Sequence, residues 1–190
     1  MLRHFRQAGL RTTTFGYTTT FESFNSIKLR LITKVSKIAE NEGYIVVGHS
    51  LGGVLIWTAL NSLPDHINRP SKIFLLGSPI QPSRLAVRLK NNLLYRILTG
   101  DCGQLLASQL RMSEIGSLTE PTTSIVGVRG FANSHGLFGD EPNDGVVSVA
   151  EASAHWLSNQ KQVPVIHTLL PASSGVAQII LREVIGENAG

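Results

Sequence analysis

Two periodicities alternate along this chain. From Ser26 to Glu40 (SIKLRLITKVSKIAE), Ile27, Leu31, Val35 and Ile38 recur at helical spacing and predict an amphipathic helix. Gly43 follows, where a helix-ending glycine belongs. Tyr44–Val47 is a continuous apolar run, the signature of a strand covered on both faces of a parallel sheet. Leu51–Leu63 reads as the next helix, stopped by Pro64. Lys72–Leu76 (KIFLL) and Ser124–Val128 (SIVGV) predict further strands. Val163–Ile166 (VPVI) predicts a short strand near a sheet edge, because Pro164 has no N–H to donate. Ser83–Leu110 reads as two or three amphipathic helices broken at Gly100 and Gly103, and Val176–Ile185 as a last helix. Near the start, the β-branched run Arg11–Phe15 (RTTTF) predicts one more strand. Strand–helix alternation with apolar strands specifies a parallel α/β sheet with helices on both faces. We expect one domain over residues 1–190, with a helical cap at 83–118.

Composition narrows the class. The 190 residues are 42% hydrophobic and 16% charged, which suits a folded globular chain of one domain. There is no apolar run of about 20 residues, so no transmembrane helix is expected. The segment MLRHFRQAGL is basic but has no apolar stretch of the signal-peptide kind. Cys102 is the single cysteine, so no internal disulfide forms, and a cytoplasmic location is the expectation. The net charge of +4 is spread out. Arg84, Arg88, Lys90 and Arg96 cluster only loosely, without the basic blocks and interleaved aromatics of a nucleic-acid surface. They form either a solvated basic face or one that draws in acidic lipid or substrate.

The chemistry concentrates at Gly48-His49-Ser50-Leu51-Gly52, a G-x-S-x-G pattern directly after a strand and directly before a helix. A sharp turn there forces the serine into a strained backbone, and Gly48 and Gly52 remove Cβ atoms expected to collide. The serine hydroxyl then stands at the sheet's C-terminal edge beside a helix N-terminus, where the Leu51 N–H can hold an oxyanion. A serine needs a base, and the base an acid to orient it; where a G-x-S-x-G turn joins a strand to a helix, the chain order is serine, acid, histidine. Asp144, in the loop NDGVVS, fits the acid and is preferred to Asp140 in the same loop. His167, after the VPVI run, fits the base. His49 is expected to pack beside the serine, and His135 to line the site or be solvated. His155 falls in an apparent helix, and His4 and His66 read as surface residues.

GHSLGG, then NDGVVSVAEA, then the histidine of VIHTLLP resemble the small bacterial lipases and esterases of the α/β-hydrolase superfamily. FRQAGLRTTTFGYTTTFESF is similar to the helix, strand and tyrosine-bearing loop before the serine turn. LGSPIQPSRLAVRL is similar to the segment leading into cap helices. The resemblance implies an α/β-hydrolase fold with Ser50 as nucleophile, Asp144 as acid and His167 as base. It implies hydrolysis of carboxylic esters through an acyl-enzyme, with no metal and no cofactor. The implied partner is a small-molecule acyl ester, with transient contact to a lipid surface and no nucleic acid.

One departure qualifies the resemblance. In that superfamily a strand precedes the helix that LRHFRQAGL resembles, and its loop supplies a second oxyanion N–H. Here Met1 already falls inside the helix, so the expectation is an N-terminally incomplete sheet with one oxyanion donor. Three accounts fit: a piece of a longer product, a short relative with weak activity, or a hydrolase-like scaffold that binds a ligand or partner. Thioesterase, amidase or acyltransferase chemistry on the same residues is the other alternative. The leucine-rich stretch 83–118 could line an acyl pocket, lie against lipid, or simply cover the sheet.

Overall fold

The structure is a computed structural model that describes residues 1–40, 43–130 and 136–186. Its elements run α1 (Leu2–Gln7), α2 (Phe24–Ala39), β1 (Ile45–His49), α3 (Leu51–Asn61), β2 (Lys72–Leu76), α4 (Arg84–Leu89), α5 (Leu93–Leu106), α6 (Gln109–Ser113), β3 (Thr122–Gly127), β4 (Asn159–Val163) and α7 (Ser174–Ile185). A 3₁₀ helix, His167–Ala172, precedes α7. The four strands pair in the order β1-β2-β3-β4, all parallel. All four C-terminal ends therefore lie on one edge of the sheet, where ligands bind in open α/β folds.

The pleat of β2 explains the two-sided architecture. Ile73 and Leu75 face a core shared with Ile27 and Leu31 of α2, Leu55 and Leu60 of α3, and Leu105 of α5. Phe74 and Leu76 face the opposite core, with Phe5 of α1 and Val176 and Ile180 of α7. Successive side chains of a strand point to opposite faces, so one KIFLL run supplies both cores. The stripe of α2 keeps Ile27, Leu31 and Val35 as expected, but ends on Ala39 rather than Ile38 and adds Phe24; the helix is started by Ser23, whose side chain accepts from the Ser26 N–H at 3.2 Å.

Several expectations need correction. The Arg11–Phe15 run forms no strand. β-branched residues become a strand only where a neighbour takes their ladder bonds. Here Lys34 Nζ binds the Thr14 carbonyl at 2.7 Å and Arg30 the Gly16 carbonyl at 3.0 Å, so side chains of α2 satisfy this segment instead. β1 is covered on both faces, Val46 against the α2–α3 core and Ile45 and Val47 against the α1–α7 core, but as an edge strand of the described sheet it is only partly buried. The last strand lies earlier than VPVI, at Asn159–Val163. It is an edge strand, as expected, and its polar residues are held by ladder bonds to β3 and by Gln160, whose amide donates to the Ala152 carbonyl at 3.2 Å. Pro164 falls just outside it. His155 sits in an exposed turn rather than a helix. Within α5 Gly100 breaks the helical backbone (φ 52°, ψ −140°) while Gly103 stays helical; the other breaks between α4 and α6 fall at the extended residues Asn92 and Ser108. Leu105 is core, but Leu93, Leu94, Ile97 and Leu98 are exposed. No described helix is long and apolar enough to cross a membrane.

Phe74 is fully buried at the centre of the sheet. Phe74→Ala should cost about 3–5 kcal/mol by lost burial and cavity formation. Urea unfolding checks this, and a loss below about 1 kcal/mol would contradict the described packing of the α1–α7 face.

Candidate active site

The turn between β1 and α3 has the geometry its sequence predicts. Ser50 has φ 53° and ψ −128° and is the one non-glycine residue with positive φ among the described residues. Such a backbone costs of order 1–3 kcal/mol and persists only where the surroundings fix it. They do so here. The Ser50 N–H donates to the Leu76 carbonyl at 2.9 Å, and the Ser50 carbonyl accepts from the Gly53 N–H at 3.0 Å. Leu51 is the first residue of α3, so its N–H has no acceptor within the helix and points out of its N-terminus.

The glycines of the turn behave differently from one another. A Cβ on Gly48 would lie 2.5 Å from Gly53 Cα and 2.7 Å from Gly53 N, a collision of backbone with backbone. The expectation for Gly52 is corrected: a Cβ there would meet only the Tyr17 hydroxyl, at 3.7 Å, an ordinary contact. The second constrained position is Gly53, whose added Cβ would run into Ser78. The helix therefore crosses β1 closely enough to exclude a side chain at 48, while Ser78 fills the space beside 53.

Asp144 and His167 come together across 23 residues. Asp144 Oδ2 accepts from His167 Nδ1 at 2.7 Å, and both residues are almost wholly buried. A carboxylate can only accept, so Nδ1 carries the proton and Nε2 is left with a free lone pair. The other oxygen, Oδ1, accepts from the N–H groups of Val146 (2.9 Å) and Val147 (2.8 Å), which fixes the carboxylate's rotation. The Asp144 carbonyl also accepts from the His167 N–H at 2.9 Å, tying the two loops together. The loop itself is braced by Glu151, a buried acid that the sequence reading passed over. Its two oxygens accept from the N–H groups of Arg84 (2.5 Å) and Ser148 (2.7 Å). Asp140 is exposed and has no part in this pair.

His49 links the pair to the serine turn. Its ring lies 4.7 Å from that of His167, and Nε2 is 3.1 Å from the His167 carbonyl. A carbonyl accepts, so Nε2 carries the proton. Burial is the main reason the His49 pKa falls below its ordinary value, and the neighbouring His167 lowers it further; the His167 carbonyl and Asp144 oppose this. Ser50, the next residue, is thereby held on the same sheet edge as the His167 ring. Among the described residues no hydrogen bond joins the Ser50 hydroxyl to that ring; such contacts often tighten only when substrate binds. His4 is half-buried on α1, His66 is exposed, and His135 lies outside the described residues.

Gly77 is a further site residue the sequence reading missed, although it stands in the LGSP segment noted there. It has φ 51°, and a Cβ there would stand 2.7 Å from Asp144 Oδ2 and 3.0 Å from His167 Nδ1. The signal was a glycine directly after a buried strand. No group of three or more His, Cys, Asp or Glu capable of holding a metal occurs among the described residues.

No protein-family model and no curated protein matches the sequence. Solved structures do. Lipase BlEst2 of Bacillus licheniformis, in its mature form, superposes with a TM-score of 0.61 at 17% identity, over 86% of this chain and 74% of that one. The metagenomic carboxyl esterase MGS0156 superposes with a TM-score of 0.60 at 20% identity, over 82% of this chain and 54% of that one. The Vlm2 thioesterase domain gives 0.56 at 19% identity, over 87% of this chain and 74% of that one. This chain has the α/β-hydrolase fold that these lipases, esterases and thioesterases share. It spans only a little over half the length of the esterase.

Two measurements test this geometry. Gly77→Ala should abolish the downfield proton resonance of His167 Nδ1–H, because the added methyl displaces the Asp144 carboxylate; an unaltered resonance would contradict the packing. The lowered pKa of His49 makes stability depend on pH. Below the unfolded value of about 6.5 the unfolded chain binds a proton that folded His49 refuses. Its contribution is therefore complete above about pH 6.5 and is lost as the pH falls toward the folded pKa. Urea unfolding at a series of pH values should show this loss, and His49→Gln should lessen it. An equal pH dependence in both proteins would contradict it.

Proposed function

We propose that the chain is a serine hydrolase acting on carboxylic esters. The observation that carries this reading is the strained backbone of Ser50, next in sequence to His49, whose ring lies 4.7 Å from that of His167 in a buried His167–Asp144 pair with Nε2 free. Strain of this kind gathers where chemistry fixes a side chain's position. The neighbouring structures support a hydrolase of the ester class, since their names include a lipase, a carboxyl esterase and a thioesterase domain.

The residues take the following roles. Ser50 Oγ attacks the acyl carbonyl carbon while His167 Nε2 removes its proton. Asp144 keeps the proton on Nδ1 and stabilises the imidazolium that forms. The Leu51 N–H, at the positive end of α3, donates to the oxygen that becomes negative. Collapse of the tetrahedral intermediate breaks the ester C–O bond, and His167 gives its proton to the departing alkoxide. Water, deprotonated by the same Nε2, then attacks the acyl-enzyme; the acid leaves and Ser50 regains its proton. A thioester would follow the same steps with a thiolate leaving, a second reading favoured by the thioesterase neighbour.

The test is hydrolysis of short- and medium-chain p-nitrophenyl esters. Ser50→Ala should remove the activity above background. Asp144→Asn should lower kcat by about 10⁴, because the amide favours the wrong tautomer of His167. Unchanged hydrolysis by Ser50→Ala would overturn the assignment.

A further inference from the structure

A cleft of about 350 Å³ opens between α4 and the loop that carries Asp144. Four of its walls are apolar: Leu85 and Leu89 from α4, and Leu137 and Phe138 from the loop. Its floor includes Asn143 and Gly145, the residues on either side of Asp144. The volume suits a small amphipathic molecule.

The polar side of the cleft is uneven in charge. Asn143 is satisfied internally, since its Oδ1 accepts from the Gly145 N–H at 2.9 Å and its amide donates to the Glu141 carbonyl at 2.9 Å. Arg84 is neutralised by Glu141 at 2.5 Å and packs 5.6 Å above the Phe138 ring. Arg88, one turn further along α4, also lines the cleft, and no ion pair engages it among the described residues. From Ser83 to Gly100 the sequence carries Arg84, Arg88, Lys90 and Arg96 and no acid. Asp140, the remaining acid of the loop, is exposed and outside the lining. An arginine at the rim of an apolar cleft, with no acid facing it, fits a ligand that has an apolar portion and a negative group.

We infer that this cleft binds an amphipathic anion. Its apolar portion lies on Leu85, Leu89, Leu137 and Phe138, and its negative group on Arg88. Arg88 is then a specificity residue: among acyl esters, the protein selects those that carry a negative charge. This rests on the ester-hydrolase reading for its link to substrate, but the binding itself does not. The anion can be a carboxylate or a phosphate, since a guanidinium fork accepts either.

Binding is therefore measured without turnover, on the 190-residue chain carrying Ser50→Ala. The fluorescent fatty acid cis-parinarate is titrated in parallel with the alcohol of the same chain. The acid should bind saturably, at one site, about tenfold or more tightly than the alcohol, as expected for a charge-assisted contact. Arg88→Gln should bring the two ligands to equal affinity. Leu89→Trp, which fills the cleft, should weaken both, and Lys90→Gln, an exposed charge outside the lining, should change neither. Competition by a dodecyl phosphate against dodecanoate then separates the phosphate from the carboxylate. Equal affinity for acid and alcohol would overturn the inference, and so would equal effects of Arg88→Gln and Lys90→Gln. Neither result depends on whether Ser50 is a nucleophile.

Discussion

The site is organised around the collision that Gly48 and Gly53 avoid. α3 leaves the end of β1 so abruptly that the backbones of these two residues touch where a Cβ would stand. Ser50, at the head of this crossing, takes positive φ. The strain is offset by ordinary fold energy: α3 buries Val54, Leu55, Trp57 and Leu60, and the Ser50 N–H and carbonyl are both hydrogen-bonded. Relaxing the serine would require pulling this helix off the core. The same crossing leaves the N–H of Leu51 unclaimed at the sheet's C-terminal edge.

The second half of the site comes from the far strands. The loop after β3 delivers Asp144, and the segment after β4 delivers His167. The Asp144 loop is irregular and His167 opens a 3₁₀ helix, so neither is placed by a sheet ladder and each is held by its own hydrogen bonds. Two valine N–H groups fix the carboxylate, Glu151 fixes the loop to the start of α4, and His49 fixes the His167 carbonyl. Gly77, at the end of β2, leaves the room in which the carboxylate and imidazole meet. Each of the four strands therefore ends in something the site uses. A parallel sheet with a shared C-terminal edge permits this arrangement.

Much of this was legible in the residues. The strand–turn–helix geometry at Ser50, the pairing of Asp144 rather than Asp140 with His167, and most of the helical stripe of α2 follow local pattern, and local pattern is what a sequence displays. The misreadings share a cause. Arg11–Phe15 has the residues of a strand, but whether they pair depends on a neighbour the pattern does not encode. Asn159–Val163 has only Val163 as an apolar residue, because its stability comes from β3 and from side-chain bonds across 7 to 11 residues. Gly52 and Gly53 are indistinguishable in sequence; only the crossing angle of α3 decides which one must lack a side chain. Gly77 and Glu151 act through contacts 67 to 90 residues away in the chain, beyond any periodicity.

The central claim is that Ser50 is activated in this chain as it stands. Reaction of the purified 190-residue protein with a fluorophosphonate probe, beside the Ser50→Ala variant, tests it most directly. Ser50 should be labelled covalently, with the labelling absent in the variant and weaker when His167 is replaced by Gln. A folded protein that is not labelled, or is labelled equally in both, would contradict it.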